Sequence, residues 1–355
     1  MNISPKLKSL AGRHLGSTED LSDSELAALL ELARALKKRP LGRELAGKVL
    51  GMVFFNPSLR TRASFEAGMF HLGGHAIHLG IGQGVWKIEH REGIVMDGEA
   101  SEHLKEAVPV LSRYCDLLSV RAFPIGRQWD LERVDPVVSM FQKYATVPVI
   151  NMESSMYHPC QGLADLATVQ EKLGRVKGKK FLLSWAYHPK ALPTAVPNSA
   201  LLALSRSGID ITLAHPPGYE LDPEVMDRVR KNCKRNGGKL ETTHSFGKAF
   251  AGAHVVYAKS WGSLKHYGND VEERKVRDKY KSWQVTPKEM KKTDGGIFMH
   301  CLPVRRNVVV ADAVLDSKAS VVTDQAENRL HVQKALLVAL SALTTGLTTG
   351  KKGKR

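Results

Sequence analysis

The sequence of 355 residues is long enough for two domains, and 43% hydrophobic and 25% charged residues are typical of a globular protein. No apolar run approaches the roughly 20 residues that cross a bilayer, and Met1 to Lys6 lack the apolar segment of a secretory signal, so neither a membrane protein nor a secreted protein is expected. The net charge of +16 is spread along the chain without interleaved aromatic residues, which favours attraction of small anions over nucleic-acid binding.

The cysteines and the C-terminal tail carry two further predictions. Cys115, Cys160, Cys233 and Cys301 have no CxxC spacing, which predicts neither a disulfide framework nor a zinc site. We therefore expect a reducing cytoplasmic location and no metal. The tail at 346–355 is rich in glycine, threonine and basic residues, and is predicted to be disordered.

Along the first half of the chain, apolar runs alternate with helical patterns. Ser22 and Glu25 form a capping box that opens the first long helix. Strands are then predicted at 49–55, 76–79, 117–120 and 147–152. Helices are predicted at 61–72, 102–114 and 134–144.

The second half repeats this rhythm. Strands are predicted at 180–185, 209–214, 254–258, 296–300 and 320–323, and helices at 162–173, 198–207, 223–236 and 325–343. The alternation predicts an α/β protein of two domains, each a parallel sheet flanked by helices. We assign residues 1–153 to the first domain and 154–323 to the second, with a C-terminal helix at 324–345 packing back on the first domain.

One segment combines a strand end with anion-binding residues. The apolar run from Val49 to Phe55 breaks at Asn56-Pro57, and an amphipathic helix follows Ser58-Leu59-Arg60-Thr61-Arg62. Free N–H groups and the helix dipole favour an anion at a helix N-terminus, and guanidinium groups bind phosphate in a bidentate fork. The segment therefore predicts a phosphate cradle. An ordinary helix start, with Ser58 as its cap and two solvated arginines, is the alternative.

Other polar residues also follow predicted strands. Arg121 follows the strand at 117–120, and the segment His158-Pro159-Cys160-Gln161 opens a helix. His300-Cys301-Leu302-Pro303 follows the strand at 296–299, and Arg329 lies in the last helix. Singly, each has an ordinary structural interpretation, such as a surface ion pair or a buried thiol. Because ligands bind at the carboxyl ends of parallel strands, their joint placement indicates one site between two domains.

These segments together resemble the aspartate/ornithine carbamoyltransferase family. Ser-Leu-Arg-Thr-Arg at 58–62 is similar to the family's carbamoyl phosphate motif, 158–161 to its His-Pro-x-Gln element, and 300–303 to the ornithine-type His-Cys-Leu-Pro. The resemblance implies that an amine attacks the carbonyl carbon of carbamoyl phosphate and that phosphate leaves, without a cofactor. Donors aimed at the developing oxyanion then dominate catalysis.

The resemblance also implies roles for individual residues. It makes Thr61, Arg121, His158 and Gln161 catalytic, the first three as oxyanion donors. It gives Gln161 and two backbone carbonyls the carbamoyl NH2 group. The carbamoyl phosphate ligands that it implies are Ser58, Leu59, Arg60, Thr61, Trp86, Arg121, His158, Gln161, Cys301, Leu302 and Arg329.

The acceptor amine is indicated by a departure from ordinary ornithine enzymes. Where those carry an aspartate for the free α-ammonium of ornithine, this chain has Lys259 in Tyr257-Ala258-Lys259-Ser260-Trp261-Gly262. A lysine would repel an α-ammonium by about 1 kcal/mol at close range, whereas an acylated α-amine carries no charge. The stretch resembles the N-acylornithine carbamoyltransferases of arginine biosynthesis, and implies that the acceptor is bound by Glu153, His188, Lys259, Arg305 and Ser101.

The resemblance further implies a homotrimer in which Trp86 reaches the active site of a neighbouring subunit. The loop after Met96-Asp97-Gly98 would approach the acyl group, and a neutral Ser101 there favours succinyl over acetyl because it removes a repulsion. Glu99 and Glu102 flank Ser101, so both acyl groups stay open. Ordinary ornithine carbamoyltransferase is the nearest alternative, and a catalytically silent basic binding protein is the alternative from another class.

Overall fold

The computed structural model describes residues 4–341. The predicted disordered tail at 346–355 and the predicted end of the last helix lie outside these residues. The strands are β1 Val49–Phe54, β2 His75–Gly80, β3 Lys87–Glu89, β4 Ala100–His103, β5 Leu117–Arg121, β6 Val149–Glu153, β7 Lys180–Trp185, β8 Asp210–Ala214, β9 Leu240–Thr243, β10 Val255–Lys259 and β11 Ile297–Met299. The helices are α1 Pro5–Lys8, α2 Asp23–Lys38, α3 Leu59–His71, α4 Leu104–Tyr114, α5 Trp129–Glu132, α6 Pro136–Tyr144, α7 Pro159–Leu173, α8 Ala195–Leu204, α9 Pro223–Asn236, α10 Phe246–Ala249, α11 Asp270–Arg277, α12 Pro287–Met290, α13 Asp312–Leu315 and α14 Val322–Ser341.

The strands of the first half form a parallel sheet in the order β2-β1-β5-β6. Its inner strands are buried on both faces, as expected for a parallel sheet covered by helices. The chain leaves β1 toward β2 on one side and returns to β5 on the other. The gap between the carboxyl ends of β1 and β5 is therefore a topological switch point, where α/β sheets bind ligands.

The second half forms a separate parallel sheet in the order β11-β10-β7-β8-β9. Here the chain leaves β7 toward β8 and β9, then crosses to β10 on the other side. The second switch point thus lies between β7 and β10. Each of the two sheets consequently offers one strand-end crevice, which confirms the predicted fold class of two parallel sheets flanked by helices.

Long helices join the two halves. α2 begins with the predicted capping box, in which Ser22 Oγ accepts from the Glu25 N–H and the Glu25 carboxylate accepts from the Ser22 N–H. α14 contacts α2, α3 and α7, so the prediction that the C-terminal helix packs back on the first domain is confirmed. The domain limits at 153 and 323 remain a prediction.

The predicted strand at 320–323 is wrong. α14 begins at Val322, and the preceding residues form a single bridge between Ser320 and Phe298. The apolar run Val321-Val322 packs into the core from the start of a helix, and a short apolar run does not distinguish a strand from a buried helix start. Two features lacked an apolar signal and were not predicted: the edge strand β9 and the small β3–β4 sheet.

Candidate active site

The two switch points face one cleft with a volume of about 450 Å³. The ends of β1, β5 and β6 contribute one wall, and the ends of β7, β10 and β11 contribute the other. Of the residues predicted for the site, the cleft brings together Ser58, Leu59, Arg60, Thr61, Arg121, Glu153, His158, Gln161, His188, Lys259, Cys301, Leu302 and Arg329.

The start of α3 combines a capped helix with a cleft wall. Ser58 is the N-cap, and its Oγ accepts from the Thr61 N–H at 3.3 Å. Arg60 and Arg62 point to different environments: Arg60 lines the cleft, whereas Arg62 is exposed and donates from Nε to Glu66 at 2.9 Å. Ser58 caps the helix and Arg62 pairs at the surface, as the alternative interpretation expects, while Ser58 and Arg60 both line the cleft.

Arg121, Glu153 and His158 form a charged cluster at the ends of β5 and β6. Arg121 forms a short ion pair with Glu153, and its guanidinium lies 4.4 Å from the centre of the Phe123 ring. His158 Nε2 lies 3.6 Å from Glu153 Oε2. Among the described residues, Glu153 is the carboxylate that lines this cleft, and it lies beside both Arg121 and His158.

The imidazole of His158 is neutral at physiological pH. Burial lowers the pKa of His158 well below its usual value, and the nearby cations Arg329, Arg121, Lys259 and Arg60 lower it further. Its Nδ1 is buried without a hydrogen-bond partner within residues 4–341, as is Arg121 Nε. Buried polar atoms normally have partners, so these two are candidates to contact a ligand.

The close approach of α7 and α8 fixes the position of His158. Its backbone N–H donates to Ser199 Oγ at 2.7 Å, across the α7–α8 contact. A Cβ atom at Gly162 would lie 2.5 Å from the Ser199 carbonyl oxygen, so only glycine lets α7 pack this close to α8. The helix that carries Gln161 is therefore seated against α8 at its first turn.

Arg329 connects three elements behind the cleft. Its Nη2 donates to Thr61 Oγ1 and its Nη1 to Gln161 Oε1, each at 2.9 Å. The Gln161 Nε2 group donates in turn to Asp165 Oδ1 at 2.8 Å. Asp165 is fully buried, and burial raises its pKa to about 7. No motif in the sequence singles out Asp165, although its position four residues after Gln161 places it on the same helix face.

The segment after β11 adopts an uncommon backbone. Leu302 has a φ of 56°, and the Leu302–Pro303 peptide bond is cis. The Leu302 N–H donates to His300 Nδ1 at 2.9 Å. Burial lowers the pKa of His300 well below its usual value, so this nitrogen remains an acceptor and the turn is held.

Lys259, His188 and Arg305 lie on the second wall. Lys259 ends β10, and its carbonyl accepts from the Ala186 N–H at 3.1 Å, which ties it to the segment that carries His188. Arg305 does not line the cleft but donates from Nε to His188 Nε2 at 3.0 Å. The site walls therefore include Arg60, Arg121, Lys259 and Arg329 as cations against Glu153 as the carboxylate, which suits a strongly anionic ligand pair.

Trp86 and Ser101 lie apart from this cleft. Both belong to the β3–β4 region, where the Trp86 side chain is 58% exposed and its Nε1 donates to Glu102 at 2.8 Å. Lys87 pairs with Glu99 beside them. Within a single chain, neither residue reaches the cleft, so their predicted roles depend on a second subunit.

Comparison with known proteins identifies the family. Residues 13–171 match the aspartate/ornithine carbamoyltransferase carbamoyl-P binding domain, and residues 193–340 match the Asp/Orn binding domain of the same family. The chain belongs to the aspartate/ornithine carbamoyltransferase family. This confirms the family predicted from the sequence motifs.

Relatives within this carbamoyltransferase family are named after two different acceptors. The chain is 50% identical over 333 residues to the N-acetylornithine carbamoyltransferase of Xanthomonas axonopodis pv. citri, covering 93% of this chain and 97% of the relative. It is 37% identical to the N-succinylornithine carbamoyltransferase of Bacteroides thetaiotaomicron, covering 93% of this chain and 98% of the relative.

A solved structure of acetylornithine transcarbamylase complexed with acetylcitrulline is also similar. It has a TM-score of 0.91 and 50% identity, and the match covers 92% of this chain and 99% of that one. Within residues 4–341, no helix is long and apolar enough to cross a membrane, and no group of three or more His, Cys, Asp or Glu residues is arranged to hold a metal ion.

Proposed function

We propose that this carbamoyltransferase moves the carbamoyl group of carbamoyl phosphate to the side-chain amine of an N-acylated L-ornithine. The observation that carries the proposal is Lys259 at the end of β10, on the wall opposite Arg60 in the same cleft. A cation there attracts the α-carboxylate of the acceptor. It would repel the free α-ammonium of ornithine.

The donor is bound by the first wall. Arg60 and the N-terminal turn of α3 hold the phosphate, because guanidinium groups and free N–H groups favour an oxyanion. Thr61, Arg121 and His158 donate to the carbonyl oxygen as it gains negative charge. Gln161 and the carbonyls of Cys301 and Leu302 hold the carbamoyl NH2 group.

The chemical step takes place between the donor on the first wall and the acceptor on the second. The acceptor nitrogen forms a bond to the carbonyl carbon, the bond from that carbon to the phosphate oxygen breaks, and the amine proton is released. His158 contributes as a neutral donor, since its imidazole does not carry a second proton in the physiological range. Glu153 pairs with Arg121, and Arg329 acts by holding Thr61 and Gln161 in place.

Two observations favour different acyl groups. The relatives at 50% identity support acetyl. The neutral Ser101 favours succinyl, and its two acidic neighbours are already engaged, Glu99 with Lys87 and Glu102 with Trp86. Because a neutral side chain does not repel either acyl group, the proposed acceptor is N-acetylornithine with N-succinylornithine tolerated.

A steady-state assay with three acceptors in parallel tests this function. We expect carbamoylation of N-acetylornithine, N-succinylornithine or both, and little of free ornithine. No carbamoylated product from any of the three would refute the enzyme function. Faster turnover of free ornithine would refute the acyl proposal and favour an ordinary ornithine carbamoyltransferase.

Ser101→Glu separates the acyl groups. It should reduce kcat/KM for N-succinylornithine by about 5-fold or more and leave kcat/KM for N-acetylornithine within about 3-fold, because like charges in contact cost about 1 kcal/mol or more. Ser282→Glu, at another exposed serine, is the matched control. An equal loss with both acceptors, or none, would show that Ser101 does not face the acyl group.

The proposed enzyme is a homotrimer with Trp86 completing the site of a neighbouring subunit. The exposure of Trp86 and its distance in the fold from the residues of its own cleft support this. Sedimentation tests the trimer. Mixing inactive Trp86→Ala and Arg60→Ala subunits tests the shared site, since hybrid assemblies would contain some sites with neither substitution; no recovery of activity would contradict it.

A further inference from the structure

Asp165 is a buried carboxyl group that does not line the cleft. Its exposed fraction is 0%, and it lies on α7 one turn after Gln161. A carboxyl group is costly to bury unless it is hydrogen-bonded, so its partners indicate why it is there. Those partners hold residues of the site in place.

Two amide groups donate to the same oxygen of Asp165. Gln161 Nε2 lies 2.8 Å from Oδ1, and Gln325 Nε2 lies 2.7 Å from it. Because the acceptor can only bind the NH2 end of each amide, it fixes which end of each glutamine faces away. Asp165 thereby sets the direction of both amide oxygens.

Each amide oxygen then holds a part of the site. Gln161 Oε1 accepts from Arg329 Nη1 at 2.9 Å, and Arg329 reaches Thr61. Gln325 Oε1 accepts from the His300 N–H at 2.9 Å, at the entry to the segment that carries Leu302. One carboxyl group consequently connects both walls that would hold the carbamoyl group.

We propose that Asp165 is a positioning residue for carbamoyl transfer, acting as a shared acceptor that orients Gln161 and Gln325. This rests on the proposed function for the reaction itself. The role requires an acceptor oxygen and does not require a charge, since Oδ1 receives both hydrogen bonds. A misplacement of about 1 Å in such a site costs about 100-fold in rate.

Two substitutions at Asp165 separate an acceptor from a merely structural role. Asp165→Asn keeps one acceptor oxygen, and should retain kcat and carbamoyl phosphate KM within about 5-fold of wild type. Asp165→Leu has similar bulk and no acceptor, and should lose about 100-fold in kcat/KM. An Asp165→Asn variant with a kcat/KM as low as that of Asp165→Leu would overturn the proposal. A kcat/KM of Asp165→Leu within about 3-fold of wild type would overturn it as well.

A control on the same helix pair reports structural damage alone. Thr168 lies on α7; its hydroxyl accepts from Asn328 of α14 at 3.0 Å and donates to the Ala164 carbonyl, and neither partner lines the cleft. Thr168→Val should lower the unfolding temperature and leave kcat/KM within about 3-fold. If Thr168→Val and Asp165→Leu both lose activity in proportion to their loss of stability, the role of Asp165 is structural and the proposal fails.

Two further measurements keep the test decisive if the leucine variant does not fold. Gln325→Met removes the second arm and should weaken binding of phosphonoacetamide, a carbamoyl phosphate analogue, by about 10-fold in calorimetry; unchanged affinity would overturn the proposal. In a Gln161→Ala background, Asp165→Leu should reduce kcat/KM by a smaller factor than it does in the wild-type enzyme. Fully additive losses of the two substitutions would contradict a shared role of Gln161 and Asp165. Wild-type enzyme that binds the analogue and carbamoylates no acceptor would refute the proposed function alone, because calorimetry needs no acceptor.

Discussion

Arg329 Nη2 donates a 2.9 Å hydrogen bond to Thr61 Oγ1, and thereby joins two residues that are 268 positions apart. Thr61 lies in the first turn of α3, and Arg329 lies in α14. The side chains of both are buried, at 1% and 4% exposure. The wall of the cleft that contains Thr61 is therefore complete only after the C-terminal helix has packed back on the first domain.

The two arginines of the Ser58–Arg62 motif should differ in function. Arg60→Ala should weaken binding of carbamoyl phosphate by about 10- to 100-fold, because a hydrogen bond to a charged group contributes about 1.5–3 kcal/mol. Calorimetry measures the affinity, and circular dichroism checks folding. Arg62→Ala is the matched control, since Arg62 pairs with Glu66 at the surface. Equal losses in the two variants would contradict the assignment of Arg60 to the phosphate.

Lys259 should affect the acceptor and not the donor. Lys259→Gln should raise the KM for N-acylornithine by about 10- to 100-fold, since it removes a charged partner of the α-carboxylate. The KM for carbamoyl phosphate should stay within about 3-fold. Lys265→Gln, an exposed lysine six residues later, should change neither constant. A parallel rise in both KM values for Lys259→Gln would show a general disturbance of the cleft.

Asp135 should make stability depend on pH. Its carboxyl group accepts from Ser154 Oγ and from two backbone N–H groups, yet burial raises its pKa to about 6 from an ordinary value of 3.8. The folded state therefore binds this proton more tightly than the unfolded state. The contribution of Asp135 to stability is fully present below about pH 4 and is lost as pH rises through about 6.

Asp135→Asn should remove this loss. Asparagine also tolerates the left-handed backbone at this position, where φ is 49°. At pH 8 the variant should be more stable than wild type by up to about 3 kcal/mol in urea unfolding, and the difference should shrink toward pH 4. An advantage that does not change with pH would contradict the assigned cause.

Lys334 should stabilise the end of α2. It is fully buried, and its Nζ donates to the carbonyl oxygens of Leu36 at 3.1 Å and Pro40 at 2.8 Å. Lys334→Met leaves both carbonyls without this donor, which should lower the free energy of unfolding by about 1–3 kcal/mol. Lys172→Met removes a surface ion pair with Asp324 and should cost less than about 1 kcal/mol. Equal costs would indicate that the Lys334 hydrogen bonds add little.

Several cleft residues, among them Arg60, Arg121 and Lys259, could be predicted because each lies at or just after the end of a strand. Hydrophobic runs located β1, β5, β7 and β10 within a few residues, and parallel strands place their carboxyl ends on one edge. Side chains immediately after those strands were thus confined to the cleft before any contact was known. The family motifs then supplied the chemistry, and the family is confirmed.

Other parts of the site carried no local signal. Arg60 and Arg62 have the same side chain two residues apart, and only the folded chain shows that Arg60 lines the cleft while Arg62 forms a surface ion pair. In the sequence, Asp165 does not differ from any other helical aspartate, because its partner Gln325 lies 160 positions away and contacts it only in the folded chain. Trp86 and Ser101 lie outside the cleft of their own chain, so contacts within one chain do not test their predicted roles.

The sequence by itself therefore determined the inner strands of the two sheets, the strand ends that carry the site and the family of the enzyme, because hydrophobic period and short motifs are local properties of a chain. The tertiary structure decided which arginine faces the cleft, that residues 320–323 enter a helix, and that one buried carboxyl group holds two glutamines. These features depend on contacts between segments distant in sequence, because the free energy of burying a polar group depends on whether a hydrogen-bond partner lies beside it in the folded protein.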